Sequence, residues 1–79
     1  MATVRYFAGA RTAAGTSAET VDATSVSDLL DILEDRHGER LTKILGSCSF
    51  LVDGLACREP STSLAPESTV DVLPPFAGG

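Results

Sequence analysis

The residues best placed to do chemistry stand together at the end of the chain, which reads Pro74-Pro75-Phe76-Ala77-Gly78-Gly79. Prolines cannot donate ladder hydrogen bonds and favour an extended polyproline conformation, so this segment is expected to leave a sheet instead of pairing with it. Six extended residues reach about 20 Å at about 3.3 Å each, enough to thread a narrow tunnel in another protein. Gly78 and Gly79 lack Cβ atoms, which permits close approach on all sides and leaves the last carbonyl open to attack. The expected reacting group is therefore the carboxylate of Gly79, with Pro74, Pro75, Phe76, Ala77 and Gly78 as its flexible carrier. A chance pair of glycines or a frayed end does not account for the stiff Pro-Pro-Phe step that precedes them.

The other reactive side chains form no comparable group. Cys48 and Cys57 are separated by eight intervening residues and have only His37 to join them. They cannot complete a four-ligand zinc site, and no metal is expected. Each cysteine adjoins strand-like residues, where Cys commonly packs as a small hydrophobe. A persulfide-bearing thiol would need exposure and a low pKa that the sequence does not signal. His37 has no nucleophile or carboxylate constellation beside it in the sequence and reads as a helix-end residue.

These groups have to be positioned by a small set of elements. Thr3 to Phe7 alternates with period two, placing Val4 and Tyr6 on one face. Ala8 to Ala18 is rich in Gly, Ala, Thr and Ser and reads as a turn and loop before a second strand at Glu19 to Ala23. Ser25 can cap a helix, and Asp28 three residues later adds negative charge to its first turn. Val26, Leu29, Leu30 and Leu33 then recur at helical spacing, and the helix runs to about His37 before Gly38 stops it. Glu39 to Leu45 is expected to be a connector of about one helical turn. Phe50 to Val52 and Leu55 to Cys57 flank Asp53-Gly54, a dipeptide suited to a type I′ hairpin turn. Thr69 to Leu73 is the last strand. The core candidates are Val4, Tyr6, Leu29, Leu30, Leu33, Val52, Val70 and Val72.

Two hairpins and one main helix make an α+β chain, with a mixed sheet of about five strands wrapped on that helix. If the first and last strands lie side by side in the middle, they run parallel, and the order is that of a β-grasp, or ubiquitin-like, fold. The expected organisation is one domain over residues 1–73 and an extended tail over residues 74–79. An apolar patch beside that tail, formed by Phe7, Leu73 and Phe76, is the expected surface for a partner.

Composition narrows the function classes. Seventy-nine residues allow one core, and a pocket deep enough to enclose a substrate would consume much of it. That argues against an enzyme acting alone. The 43% hydrophobic and 22% charged content fits a globular chain. A net charge of −5 with scattered cations argues against nucleic acid or an anionic membrane as partner and favours a basic protein. No stretch approaches a transmembrane span, and the start of the chain lacks the pattern of a secretion signal, so a cytoplasmic location is expected.

Val4-Arg5-Tyr6-Phe7-Ala8 with Arg11, the helix carrying Leu29, Leu30 and Leu33, the Val52-Asp53-Gly54 hairpin, and Val70-Asp71-Val72-Leu73-Pro74-Pro75-Phe76-Ala77-Gly78-Gly79 together carry a resemblance. The chain resembles the molybdopterin synthase small subunits, within the wider ubiquitin-like family of bacterial sulfur carriers. The resemblance spans the full length, and the proline pair before the glycines is typical of the molybdopterin branch and not of the thiamine carrier. It implies that an ATP-dependent activating enzyme adenylates Gly79, and that a sulfur donor converts the acyl-adenylate to a thiocarboxylate. The large synthase subunit would then receive the tail, and sulfur would pass to the cyclic pterin precursor of the molybdenum cofactor. On this reading the chain holds no cofactor of its own, and ATP is used by the activating enzyme. Sulfur transfer for cysteine, thiamine or secondary-metabolite synthesis, and attachment to lysines as a protein modifier, are the competing readings of the same tail.

Overall fold

In the computed structural model, which describes residues 1–75, eight elements follow one another: β1 (Ala2–Tyr6), α1 (Ala8–Ala14), β2 (Ala18–Val21), α2 (Val26–His37), α3 (Glu39–Leu45), β3 (Ser49–Val52), β4 (Leu55–Cys57) and β5 (Thr69–Leu73). The strands form one mixed sheet in the order β2-β1-β5-β3-β4. β1 and β5 pair in parallel through the middle, with Val4 opposite Val70 and Tyr6 opposite Val72. The two hairpin pairs and β3–β5 are antiparallel. This is the β-grasp arrangement that the order of elements predicts.

The alternation of β1 and β5 explains the core. Val4, Tyr6, Val70 and Val72 point to the helices and are fully buried, as are Leu29 and Leu33 on the facing side of α2. Each such side chain contributes about 1.5–3 kcal/mol of burial. Leu30 and Val52, also expected inside, pack against this cluster but are only partly buried. α2 starts where Ser25 accepts a hydrogen bond from the Asp28 N–H at 3.1 Å, while Asp28 accepts one from the Thr24 N–H at 3.3 Å. It stops at Gly38, whose φ of 74° needs no Cβ and whose N–H bonds the Glu34 carbonyl. Asp53 and Gly54 both take positive φ, at 51° and 85°, as the type I′ reading requires.

Two elements differ from the expectation. Residues 8–14 form a helix, α1, where a loop was expected, and the connector after Gly38 is a seven-residue helix, α3. Ala10, Ala13 and Ala14 make a small apolar stripe at helical spacing and pack against the core, with Ala10 fully buried. Gly9 faces α3 as well, and a Cβ there would make an ordinary contact with Ile44 at 3.8 Å. Alanine's helix propensity and this tertiary contact outweigh the turn-like Gly and Thr content.

Candidate functional site: the end of the central strand

β5 delivers the C-terminal segment, and its surroundings make it the best-held strand of the sheet. It is hydrogen-bonded on one side to β1 and on the other to β3, and its last register partner is Ser49, opposite Leu73. At its start, Asp53 Oδ1 accepts from the Thr69 N–H at 2.9 Å and Asp53 Oδ2 from the Ser68 hydroxyl at 3.1 Å. At its end, the Phe7 N–H donates to the Val72 carbonyl at 3.2 Å. Pro74 is half-buried and Pro75 exposed, and neither belongs to a strand. Phe76, Ala77, Gly78 and Gly79 lie outside the described residues.

Phe7 and Leu73 come together beside this exit. The β1–β5 register places them next to one another one step beyond the Tyr6–Val72 pair, on the face of the sheet turned away from the helices, and both are half-buried. Leu51, next to Asp71 in the β3–β5 register, continues the apolar surface. The polar members of this face are tied to one another. Arg5 Nε donates to Asp71 Oδ1 at 2.6 Å and a terminal nitrogen donates to Oδ2 at 2.9 Å, a two-pronged pair. The Arg5 guanidinium also sits 5.9 Å from the centre of the Phe7 ring. Asp71 is buried at 6% exposure, so its charge is spent within the chain. The result is an almost neutral, partly apolar face on a molecule of net charge −5.

Reactive side chains elsewhere are engaged in packing or hydrogen bonds. His37 Nε2 and the Tyr6 hydroxyl both meet Glu19 Oε2 at 2.5 Å, and Arg36 donates to Glu19 Oε1 at 2.8 Å. Burial tends to raise the Glu19 carboxyl, but the bonds from Tyr6, His37 and Arg36 outweigh it and hold the pKa below the usual range. Burial and the bond to Glu19 push the Tyr6 phenol well above its usual value. Cys48 and Cys57 are free thiols that pack against the core, and burial raises the Cys48 thiol. Among the described residues no three His, Cys, Asp or Glu side chains gather as a metal cluster, and no helix is long and apolar enough to cross a membrane.

Two features of this site escape a reading of the residues one by one. The Arg5–Asp71 pair becomes visible only when β1 and β5 are set parallel, because the two residues stand 66 positions apart. The Glu19 network needs the β1–β2 register, which opposes Val4 to Glu19.

The sequence model of the ThiS family matches residues 4–79. Among solved structures, the small archaeal modifier protein 1 of Methanosarcina acetivorans superposes with a TM-score of 0.88 at 27% identity, covering 99% of this chain and 95% of that one. SAMP1 of Haloferax volcanii gives 0.85 at 24% identity, over 99% and 98%. The complex of subunits 1 and 2 of the molybdopterin-converting factor from Helicobacter pylori gives 0.77 at 24% identity, over 99% and 97%. No curated protein matches the chain by sequence.

Proposed function

The chain belongs to the ThiS family of ubiquitin-like sulfur carriers, and on that premise we propose that its working group is the Gly79 carboxylate, which an ATP-dependent enzyme adenylates and a sulfur donor converts to a thiocarboxylate. The observation that carries this reading is the position of the exit: the most firmly held strand ends at Leu73 and is followed at once by Pro74-Pro75, next to an almost neutral face bearing Phe7 and Leu73. A carboxylate is a poor electrophile, and the mixed anhydride with AMP supplies the missing leaving group. Sulfur displaces AMP at the carbonyl carbon, and the resulting terminal sulfur is a nucleophile toward a bound acceptor. The chain contributes the tail and the docking face, and its partners contribute the catalytic side chains. Such a cycle depends on ATP and suits a cytoplasmic protein.

The acceptor we favour is the pterin precursor of the molybdenum cofactor, held by a large synthase subunit, because of the proline pair before the glycines. The similarity to small archaeal modifier protein 1 keeps a second reading open, in which the activated Gly79 is joined to lysines of other proteins. Incubation with ATP, an adenylating enzyme and a sulfide source, followed by intact-mass measurement, separates these readings. Replacement of one oxygen by sulfur at the terminus supports the carrier. Adducts with target proteins that survive thiol reagents support the modifier.

A further inference from the structure

The sheet has two outer edges, and side chains close one of them. At β2, the Tyr6 N–H bonds the Ser17 carbonyl, so by alternation Val4 and Ala2 also turn their backbone to β2, where they meet Glu19 and Val21. The backbone groups of Ala18 and Thr20 therefore point outward. Both outward carbonyls are occupied: the Thr16 hydroxyl donates to that of Ala18 at 3.0 Å, and Arg36 to that of Thr20 at 3.1 Å. The other edge is β4, and it is open. The Asp53 N–H bonds the Thr69 carbonyl, so Leu51 also turns its backbone to β5, and Ala56 opposite Leu51 bonds nothing on β3. The Ala56 N–H and C=O face outward, with no partner among the described residues. Edge strands are commonly blunted by a charge, a proline or a bulge. Leu55-Ala56-Cys57 has none of these, and Leu55 is 75% exposed. A groove of 430 Å³, lined by Val52, Cys57 and Thr62 among others, lies against this strand.

We propose that β4 pairs with β4 of a second copy of this chain, antiparallel about a two-fold axis at Ala56. Each Ala56 N–H donates to the Ala56 carbonyl of the other copy, which satisfies both outward groups at once. The same register sets Leu55 opposite Cys57 of the other copy, so the exposed leucine of each chain meets the groove of its mate. A two-fold contact needs such a knob and hole on one surface, and this edge carries both. The occupied carbonyls of β2 offer no second contact, so assembly stops at two. Three residues a side make a small interface, which implies a dissociation constant on the order of 0.1–1 mM. The net charge of −5 on each copy opposes the approach, and salt should tighten the pair by screening it. β3 lies between this edge and β5, so the pairing leaves Phe7 and Leu73 uncovered.

The test is sedimentation of the full chain, kept reduced, from about 0.02 to about 2 mM, in low and in high salt. The expected result is a monomer–dimer equilibrium without larger species, tighter in high salt. Ala56→Pro removes the outward N–H and no bond within the chain, so it should melt close to the parent and weaken association about tenfold or more. Leu55→Thr keeps a strand-forming residue, removes the apolar knob, and should weaken association about fivefold. It tests the contact even if the proline variant folds poorly. In the parent, the amide resonance of Ala56 should move with concentration, while those of Ala18 and Thr20 stay in place. A chain that is monomeric over the whole range, species larger than a dimer, association weakened by salt, or a dimer that Leu55→Thr leaves as tight as the parent's would overturn the proposal.

Discussion

Among the described residues, two arginine–carboxylate clusters are built differently. On the helix side, Glu19 is shared by three donors from two elements, Tyr6 of β1 and Arg36 and His37 of α2, and so ties the edge strand β2 to both. On the open side, Asp71 is matched by Arg5 alone, with Arg5 half-exposed at 53% and Phe7 and Leu73 alongside. The first adds side-chain links between α2 and the β1–β2 pair, beside the bond from Arg36 to the Thr20 carbonyl. The second removes charge from a surface without covering it. Stability should therefore concentrate under α2 and partner recognition on the opposite face, where the tail departs.

The largest break in stability should come from the helix side of the core. Leu33→Ala removes a fully buried side chain and should cost about 2–5 kcal/mol in chemical denaturation. The rate of sulfur acceptance per folded molecule should not change. Glu19→Ala comes next, at about 1–3 kcal/mol, because the Tyr6 hydroxyl and the His37 ring lose their shared acceptor. The same site sets a pH dependence. A carboxyl whose folded pKa lies below its unfolded value of about 4.3 gives its full stabilisation above that value and loses it as pH falls through the folded pKa. Acid titration of the melting temperature should be shallower in Glu19→Gln than in the parent, and equal slopes would remove Glu19 from the account.

Changes on the open face should separate the two roles. Phe7→Ala should weaken binding to the adenylating or sulfur-accepting partner by about tenfold, or about 1.4 kcal/mol, by calorimetry, while moving the melting temperature less than Leu33→Ala does. A melting shift as large as that of Leu33→Ala, with partner affinity unchanged, would reassign Phe7 to the core. Arg5→Ala should lower the melting temperature less than Leu33→Ala does, its cost coming from the buried Asp71 carboxylate left without its partner and not from the arginine, which faces water.

Much of this architecture was legible in the sequence because local signals agreed with the tertiary result. Ser25 and Gly38 bound α2, Asp53-Gly54 turns the β3–β4 hairpin, and the alternation of β1 and β5 names four buried residues. α1 was not legible, because its alanines yield a weak hydrophobic period and gain meaning only against Ile44 and α3. Phe7 and Leu73 were readable as neighbours of the tail once the parallel pairing of β1 and β5 was inferred. Glu19 was not, since its role depends on the register of an edge strand that follows an unrecognised helix. That Cys48 and Cys57 line one groove is likewise not conveyed by their spacing in the sequence.

The central claim is that all the chemistry of this chain rests on one carboxyl group at a fixed distance from β5. Adding a single alanine after Gly79 moves that group by about 3.5 Å and introduces a Cβ, where a misplacement of about 1 Å can cost on the order of a hundredfold in rate. The extended chain should melt like the parent, because a residue added beyond the last strand leaves the core untouched. It should neither support pyrophosphate exchange by the activating enzyme nor gain sulfur by intact mass after incubation with ATP and sulfide. An extended chain that acquires terminal sulfur at the parent's rate would contradict the account.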